Sequence, residues 1–206
     1  MSIANNILTL LNEYRPNPKC ELHYSTPFEL LIAVILSAQC TDVRVNKCTE
    51  ELFKKYNSPK SFANAHIEDI EKYVRECGLY KIKAQSLINV SRELIEKFDG
   101  LVPSTMEQLL QLSRVGRKTA SVVLSEAFKM PAIAVDTHVF RVSRRLGLAR
   151  GDSPEKVENE LKCIYEMGQW SNLHLQLVLH GRYICRARNP SCSNCVVEKL
   201  CKKEFN

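Results

Sequence analysis

Four of the nine cysteines of this chain fall between positions 185 and 201, with the spacing Cys185-x6-Cys192-x2-Cys195-x5-Cys201. Four thiolates held this close repel one another and oxidise unless a metal neutralises them, so a metal rather than an apolar core organises this stretch. The spacing suits a structural zinc or an iron–sulfur cluster and does not choose between them. The other five cysteines, Cys20, Cys40, Cys48, Cys77 and Cys163, are scattered through helical patterns. A disulfide framework would instead spread pairs along a short secreted chain. With no basic segment or small-residue cleavage site in residues 1–14, a cytoplasmic protein in a reducing compartment is expected. The longest apolar run, Leu30 to Leu36, is far short of the ~20 residues of a membrane helix, so no membrane association is expected.

Upstream of the cysteines nearly everything reads as helix. Thr26-Pro27-Phe28-Glu29 forms a capping box with proline at the first helical position. Thr41-Asp42 opens a second helix, with Val45, Cys48, Leu52 and Phe53 on one face. Further helices are predicted from about Ile67 to near Gly78 and from about Lys81 to Phe98, where Asp99-Gly100 closes the pattern and Ile82, Leu87, Ile88, Val90, Leu94 and Ile95 are the apolar set. Ser104 is expected to cap a short helix through Leu109, Leu110 and Leu112. Longer ones follow at about 117–129, 137–147, 154–164 and 172–183. His174 and His180 lie on the last of these and read as structural. The fold class is all-α, and at 206 residues the chain has room for one or two domains. No Gly/Ser/Pro linker marks a flexible tether between them.

The positive charge is local. Residues 111–150 hold eight Lys and Arg (Arg114, Arg117, Lys118, Lys129, Arg141, Arg144, Arg145, Arg150) against Glu126 and Asp136, a net +6 that equals the charge of the whole chain. A polyanion, and nucleic acid first, is the natural partner of such a stretch. Within it, Leu112-Ser113-Arg114-Val115-Gly116-Arg117-Lys118-Thr119-Ala120 places a tight turn before a helix. Backbone N–H groups and the positive end of the helix dipole then make a phosphate site that positions a duplex without reading its bases.

Lys118 is unusual in that setting. A cation is disfavoured in the first turn of a helix, and Arg114 and Arg117 lie close by in sequence. All of these favour the neutral amine, the form that acts as a nucleophile. Asp136 stands before a helix beginning near Thr137, an N-cap position that hydrogen-bonds and stabilises a carboxylate. An amine nucleophile and a fixed carboxylate suit attack at a cationic carbon such as a sugar C1′, with the carboxylate facing the developing positive charge.

These residues carry a resemblance. Ser37-Ala38-Gln39-Cys40-Thr41-Asp42, Gly78-Leu79-Tyr80, Val115-Gly116-Arg117-Lys118-Thr119-Ala120, Val135-Asp136-Thr137-His138-Val139-Phe140-Arg141 and the cysteine loop together resemble the endonuclease III family, from about Ile3 to Lys203. Members are bifunctional DNA glycosylases/AP lyases of the helix-hairpin-helix superfamily. The resemblance implies a six-helix domain over 20–130, a second domain from 1–19 and 131–206, and a DNA-binding cleft between them. It also implies a [4Fe–4S] cluster on Cys185, Cys192, Cys195 and Cys201. Lys118 would attack C1′ of an oxidised pyrimidine nucleotide, expel the base and form a Schiff base. β-Elimination would then cut the strand 3′ to the lesion, with Asp136 as the required carboxylate.

The remaining expectations concern DNA. Gln39 looks like the residue that fills the gap left by the extruded base, and Leu79 like the wedge beside it. Arg114, Val115, Gly116 and Arg117 are expected along the phosphates, and His138 matches a family active-site position. The partner is double-stranded DNA with damaged pyrimidines or abasic sites, and a monomer is expected. One departure stands out: the family usually has Pro-Gly where this chain has Ser113-Arg114. An arginine at a left-handed position costs about 1 kcal/mol or more. Two other readings compete. An adenine-mismatch glycosylase of the same superfamily lacks a lysine at 118. A non-catalytic DNA-binding module explains the hairpin and the loop but not the pairing of Lys118 with Asp136.

Overall fold

The computed structural model describes residues 2–204, all helix and connection without a strand among them. Eleven α-helices run α1 Ile3–Tyr14, α2 Pro27–Leu36, α3 Asp42–Lys55, α4 Pro59–Ala63, α5 Ile67–Val74, α6 Tyr80–Phe98, α7 Met106–Leu109, α8 Arg117–Ala127, α9 Thr137–Leu146, α10 Pro154–Ile164 and α11 Trp170–Tyr183. No helix among the described residues is long and apolar enough to cross a membrane. The chain forms two compact units: Cys20–Lys129, and the N-terminal segment through Lys19 joined to the chain from Met130 onward.

The first unit is built around α2, in which every residue from Phe28 to Leu36 is buried. A helix apolar all round can only be a central one. Thr26 Oγ1 accepts the Glu29 N–H at 3.2 Å, while Glu29 returns its bond one residue early, to the Ser25 N–H at 2.6 Å. The expected capping box is thus present with its second arm displaced. Helices α3, α6 and α8 pack on α2, and α4 and α5 pack on α6. Phe62 of α4 meets Phe28 edge-on, with ring centroids 5.5 Å apart.

Helix α6 corrects part of the predicted apolar face. Leu87, Val90 and Leu94 are fully buried, yet Ile82 and Ile95 are 53% and 40% exposed. At 100° per residue Ile82 falls outside the arc of buried residues, whereas Ile95 lies within that arc but in the last turn of the helix. The short helix is another correction: Thr105, not Ser104, is its cap, and accepts the Gln108 N–H at 3.3 Å.

The second unit owes its core to both ends of its sequence. Ile7, Leu8 and Leu11 of α1 pack with Val139, Val142, Leu161, Leu173 and Leu177. Asn12 Oδ1 accepts from Asn172 and Gln176 of α11, both at 2.8 Å, and Tyr165 Oη donates to the Ala4 carbonyl at 2.9 Å. Helix α1 was not anticipated, nor was α4. Between Met130 and Asp136 the chain runs without regular structure while burying Ala132, Ile133, Ala134 and Val135.

Candidate active site and cysteine cavity

The hairpin before α8 is pinned from below by Leu112 and Val115, both buried, and closed by the Val115 N–H on the Leu112 carbonyl at 3.2 Å. Ser113 and Arg114 at its tip are exposed. Arg114 has φ +64°, the left-handed conformation that a glycine would take without strain. The Ser113 N–H donates to Glu93 Oε2 at 2.6 Å, and its hydroxyl donates to Glu93 Oε1. A proline at 113 has no N–H to give, so this clamp depends on the departure from the family pattern. Glu93 was not singled out in the sequence, where nothing distinguishes it from other surface acids.

The strain at Arg114 gives a prediction. Arg114→Gly relieves about 1–2 kcal/mol of left-handed strain and returns up to about 1 kcal/mol in unfolded-chain freedom. The expected net is a gain of about 0.5–1 kcal/mol, or a rise of ~1–4 °C in melting temperature by calorimetry. An unchanged or lower melting temperature refutes the strain argument.

Helix α8 starts at Gly116 with no side-chain cap. Gly116 has φ −87°, and a Cβ built on it meets nothing within 4 Å. Neither its own backbone nor packing within the protein calls for glycine there. Lys118 follows in the first turn, exposed, its amine without an ion pair among the described residues. Arg117 beside it is exposed as well.

Asp136 lies in the other unit and caps α9. Its Oδ1 accepts the His138 and Val139 N–H groups at 2.9 and 2.8 Å. Both bonds fall on Oδ1, leaving Oδ2 without a partner among the described residues. His138 is half-buried, with Nδ1 3.3 Å from Arg141 Nη2. Arginine can only donate, so Nδ1 accepts and the ring proton sits on Nε2. The His138 Cβ lies where α9 packs against α11. A Cβ on Gly181 would stand 2.9 Å from His138 Cβ and 3.0 Å from Val142 Cγ2. Glycine at 181 is what permits that approach.

Gln39 and Leu79 share an uncommon backbone. Gln39 has φ +55° and Leu79 φ +48°, and both are exposed, Leu79 by 60%. A leucine that is left-handed and solvent-facing is neither packed nor relaxed, and such residues concentrate at functional sites.

Cys185, Cys192, Cys195 and Cys201 line one pocket, together with Arg145, His180 and Ile184. Among the described residues no cluster of His, Cys, Asp and Glu is tight enough to grip a single ion. Burial pushes the Cys195 and Cys201 thiols up, so as thiolates they need a compensating cation. Donors aimed at sulfur are already in place: the Lys203 N–H is 3.3 Å from Cys201 Sγ and Arg145 Nη1 is 3.6 Å from Cys185 Sγ. His180 Nε2 lies 3.5 Å from Cys195 Sγ, and burial with the nearby Arg15 charge pulls that imidazole down to about 4.

This corrects the charge reading. Arg145 is buried and donates to the carbonyls of Arg186 and Ala187 at 2.8 and 3.1 Å. Arg141 donates to the carbonyls of Gly181 and Cys185. Two of the eight basic residues of 111–150 thus donate to carbonyls in the last turn of α11 and in the start of the cysteine loop just beyond it.

The sequence matches the HhH-GPD superfamily base excision DNA repair protein family over residues 32–167. Endonuclease III of Rickettsia conorii is 47% identical over 204 residues, covering 99% of this chain and 97% of that protein. Endonuclease III of Escherichia coli K12 is 47% identical over 196 residues, covering 95% and 93%. A solved structure of a trapped endonuclease III–DNA covalent intermediate superimposes with a TM-score of 0.94 at 44% identity, over 98% of this chain and 97% of that one. With a family match over most of the chain and identity this high along nearly all of it, the chain belongs to the endonuclease III family of HhH-GPD base-excision DNA glycosylases/AP lyases.

Proposed function

We propose that this chain excises oxidised pyrimidines from double-stranded DNA and cuts the strand 3′ to the resulting site through a Schiff base on Lys118. The observation that carries this reading is an exposed lysine, its amine without an ion pair among the described residues, in the first turn of a helix that begins at a glycine nothing inside the protein requires. The backbone at Gly116 and the dipole of α8 accept a phosphate. Arg114, Val115 and Arg117 extend that contact along the strand. The damaged nucleotide is turned out of the stack, since its C1′ is unreachable inside a duplex. Gln39 takes the space of the extruded base and Leu79 wedges beside it.

Lys118 Nζ then adds to C1′ as the glycosidic bond breaks and the base leaves with its electron pair. Asp136 faces the positive charge that develops at the sugar through Oδ2, while its Oδ1 stays on the α9 backbone. The proton shed by Nζ passes to O4′ as the C1′–O4′ bond breaks, which opens the sugar and leaves the protonated Schiff base. Removal of a C2′ proton then expels the 3′ phosphate by β-elimination. His138, fixed by Arg141, keeps a donor at Nε2 beside this carboxylate's helix start.

Cys185, Cys192, Cys195 and Cys201 hold a [4Fe–4S] cluster in this reading. When bound, it supplies an inorganic core to a tail that has few apolar residues of its own. Cys195→Ser is expected to lower the iron content of the purified protein. Its melting temperature should fall by more than the ~2–4 °C that 1 kcal/mol represents in a chain of this size. Iron at the parent level with an unchanged melting temperature would remove the cluster from this assignment. The protein works as a monomer in the cytoplasm, where the five cysteines outside the loop persist as free thiols.

The test of the whole reading is borohydride trapping on a duplex with one thymine glycol or abasic site. A covalent protein–DNA adduct is expected. Tight, salt-sensitive binding without an adduct would instead indicate a monofunctional glycosylase or a binding module.

A further inference from the structure

Gln39 and Leu79 are far apart in sequence, yet one buried amine touches the backbone leading into both. Lys83, on the first turn of α6, is only 6% exposed. Its Nζ donates to the Leu36 carbonyl at 2.9 Å and to the Cys77 carbonyl at 2.5 Å. Leu36 is the last residue of α2, three positions before Gln39. Cys77 ends the 3-10 turn Arg75–Cys77, two positions before Leu79.

Both acceptors belong to helix ends. Such carbonyls have no partner inside the helix and carry the negative end of its dipole. An ammonium placed between two of them satisfies both at once. No carboxylate shares the charge among the described residues, so the desolvation of this lysine is offset only by backbone oxygens. A methionine of similar length would fill the space without that cost. What it could not do is fix the end of α2 relative to the 3-10 turn. The two loops need such fixing, because left-handed residues such as Gln39 and Leu79 persist only where their surroundings over-determine them.

We propose that Lys83 is a positioning residue, tying the Gln39 loop to the Leu79 loop so that both enter the duplex at the same base step. This rests on the reading of Gln39 and Leu79 as the side chains that occupy the space of the extruded base. Lys83 itself touches no DNA, and its effect passes through the two carbonyls.

The test compares a substrate that needs those loops with one that does not. A thymine-glycol duplex must be opened and its gap filled, whereas a single-stranded abasic oligonucleotide has no stack and no opposing base. Lys83→Met is expected to slow single-turnover excision from the duplex about ten- to a hundred-fold, the usual cost of a displacement near 1 Å. Borohydride trapping on the single strand should stay within about two-fold of the parent. The loss should also be non-additive with Gln39→Ala and Leu79→Ala, since residues acting as one unit fail together. Equal losses on both substrates, or full additivity with the loop variants, would overturn the proposal. If the loop variants slow the duplex reaction and Lys83→Met does not, Lys83 has no such role. If the loop variants themselves have no effect, the gap-filling reading fails instead. Should Lys83→Met not fold, Lys83→Gln, with two N–H donors on a shorter stem, is read by the same ratio.

Discussion

Lys118→Gln is expected to abolish the borohydride-trapped adduct and to lower strand cleavage at an abasic site by on the order of 10³-fold or more, as removal of a covalent nucleophile does. The substitution leaves a polar side chain with two N–H donors, on a stem one atom shorter, while removing the attacking amine. Its surroundings should tolerate it, because Lys118 is exposed and bonded to nothing that holds the hairpin. Affinity for an undamaged duplex should change little, since Gly116, Arg114 and Arg117 remain. A plain phosphate-contacting lysine behaves differently. Its loss would reduce the slope of log affinity against log salt by about one while leaving cleavage intact. The two outcomes separate in one salt series run beside one trapping gel. Cleavage at the parent rate by Lys118→Gln removes the catalytic assignment.

At Asp136 the substitution to make is asparagine. Asn and Asp are equivalent N-caps to within a few tenths of a kcal/mol, so the two backbone bonds to Oδ1 should survive and the melting temperature should stay within about 2 °C. The negative charge on the other oxygen is gone. Excision measured in a single turnover should then fall about 10²–10³-fold, the range for losing one electrostatic stabiliser of a transition state. Asp136→Ala adds the cost of the cap, about 1 kcal/mol, and should melt lower than the Asn variant. If Asp136→Asn works at the parent rate while Asp136→Ala melts lower, Asp136 is a cap and nothing more.

The all-helical architecture could be read from the sequence because caps and apolar spacing agree at most helix starts. Thr26 and Ser153 each precede a proline, and both accept from a backbone N–H as expected. Helix α1 escaped notice because it has neither an acid in its first turn nor a base in its last. Helix α4, five residues long, is too short to show a period. In the candidate site, residues whose chemistry is local were visible: the cysteine spacing, the turn before Lys118, and Asp136 at a helix start. Those that work at a distance were not. Glu93 reaches Ser113 across 20 positions, Lys83 reaches Leu36 across 47, and Arg145 reaches Ala187 across 42. Nothing in the local pattern around a lysine or glutamate says which far carbonyl or N–H it will meet.

The bonds from α9 to the cysteine loop bear on the order in which the protein becomes complete. Arg141 and Arg145 leave the ribosome some forty positions ahead of the Gly181, Cys185, Arg186 and Ala187 carbonyls that satisfy them. Until that later segment is made, the two guanidiniums lack these carbonyls and α9 lacks this part of what holds it. The setting of α9, and with it of Asp136, thus draws in part on chain made some forty residues later.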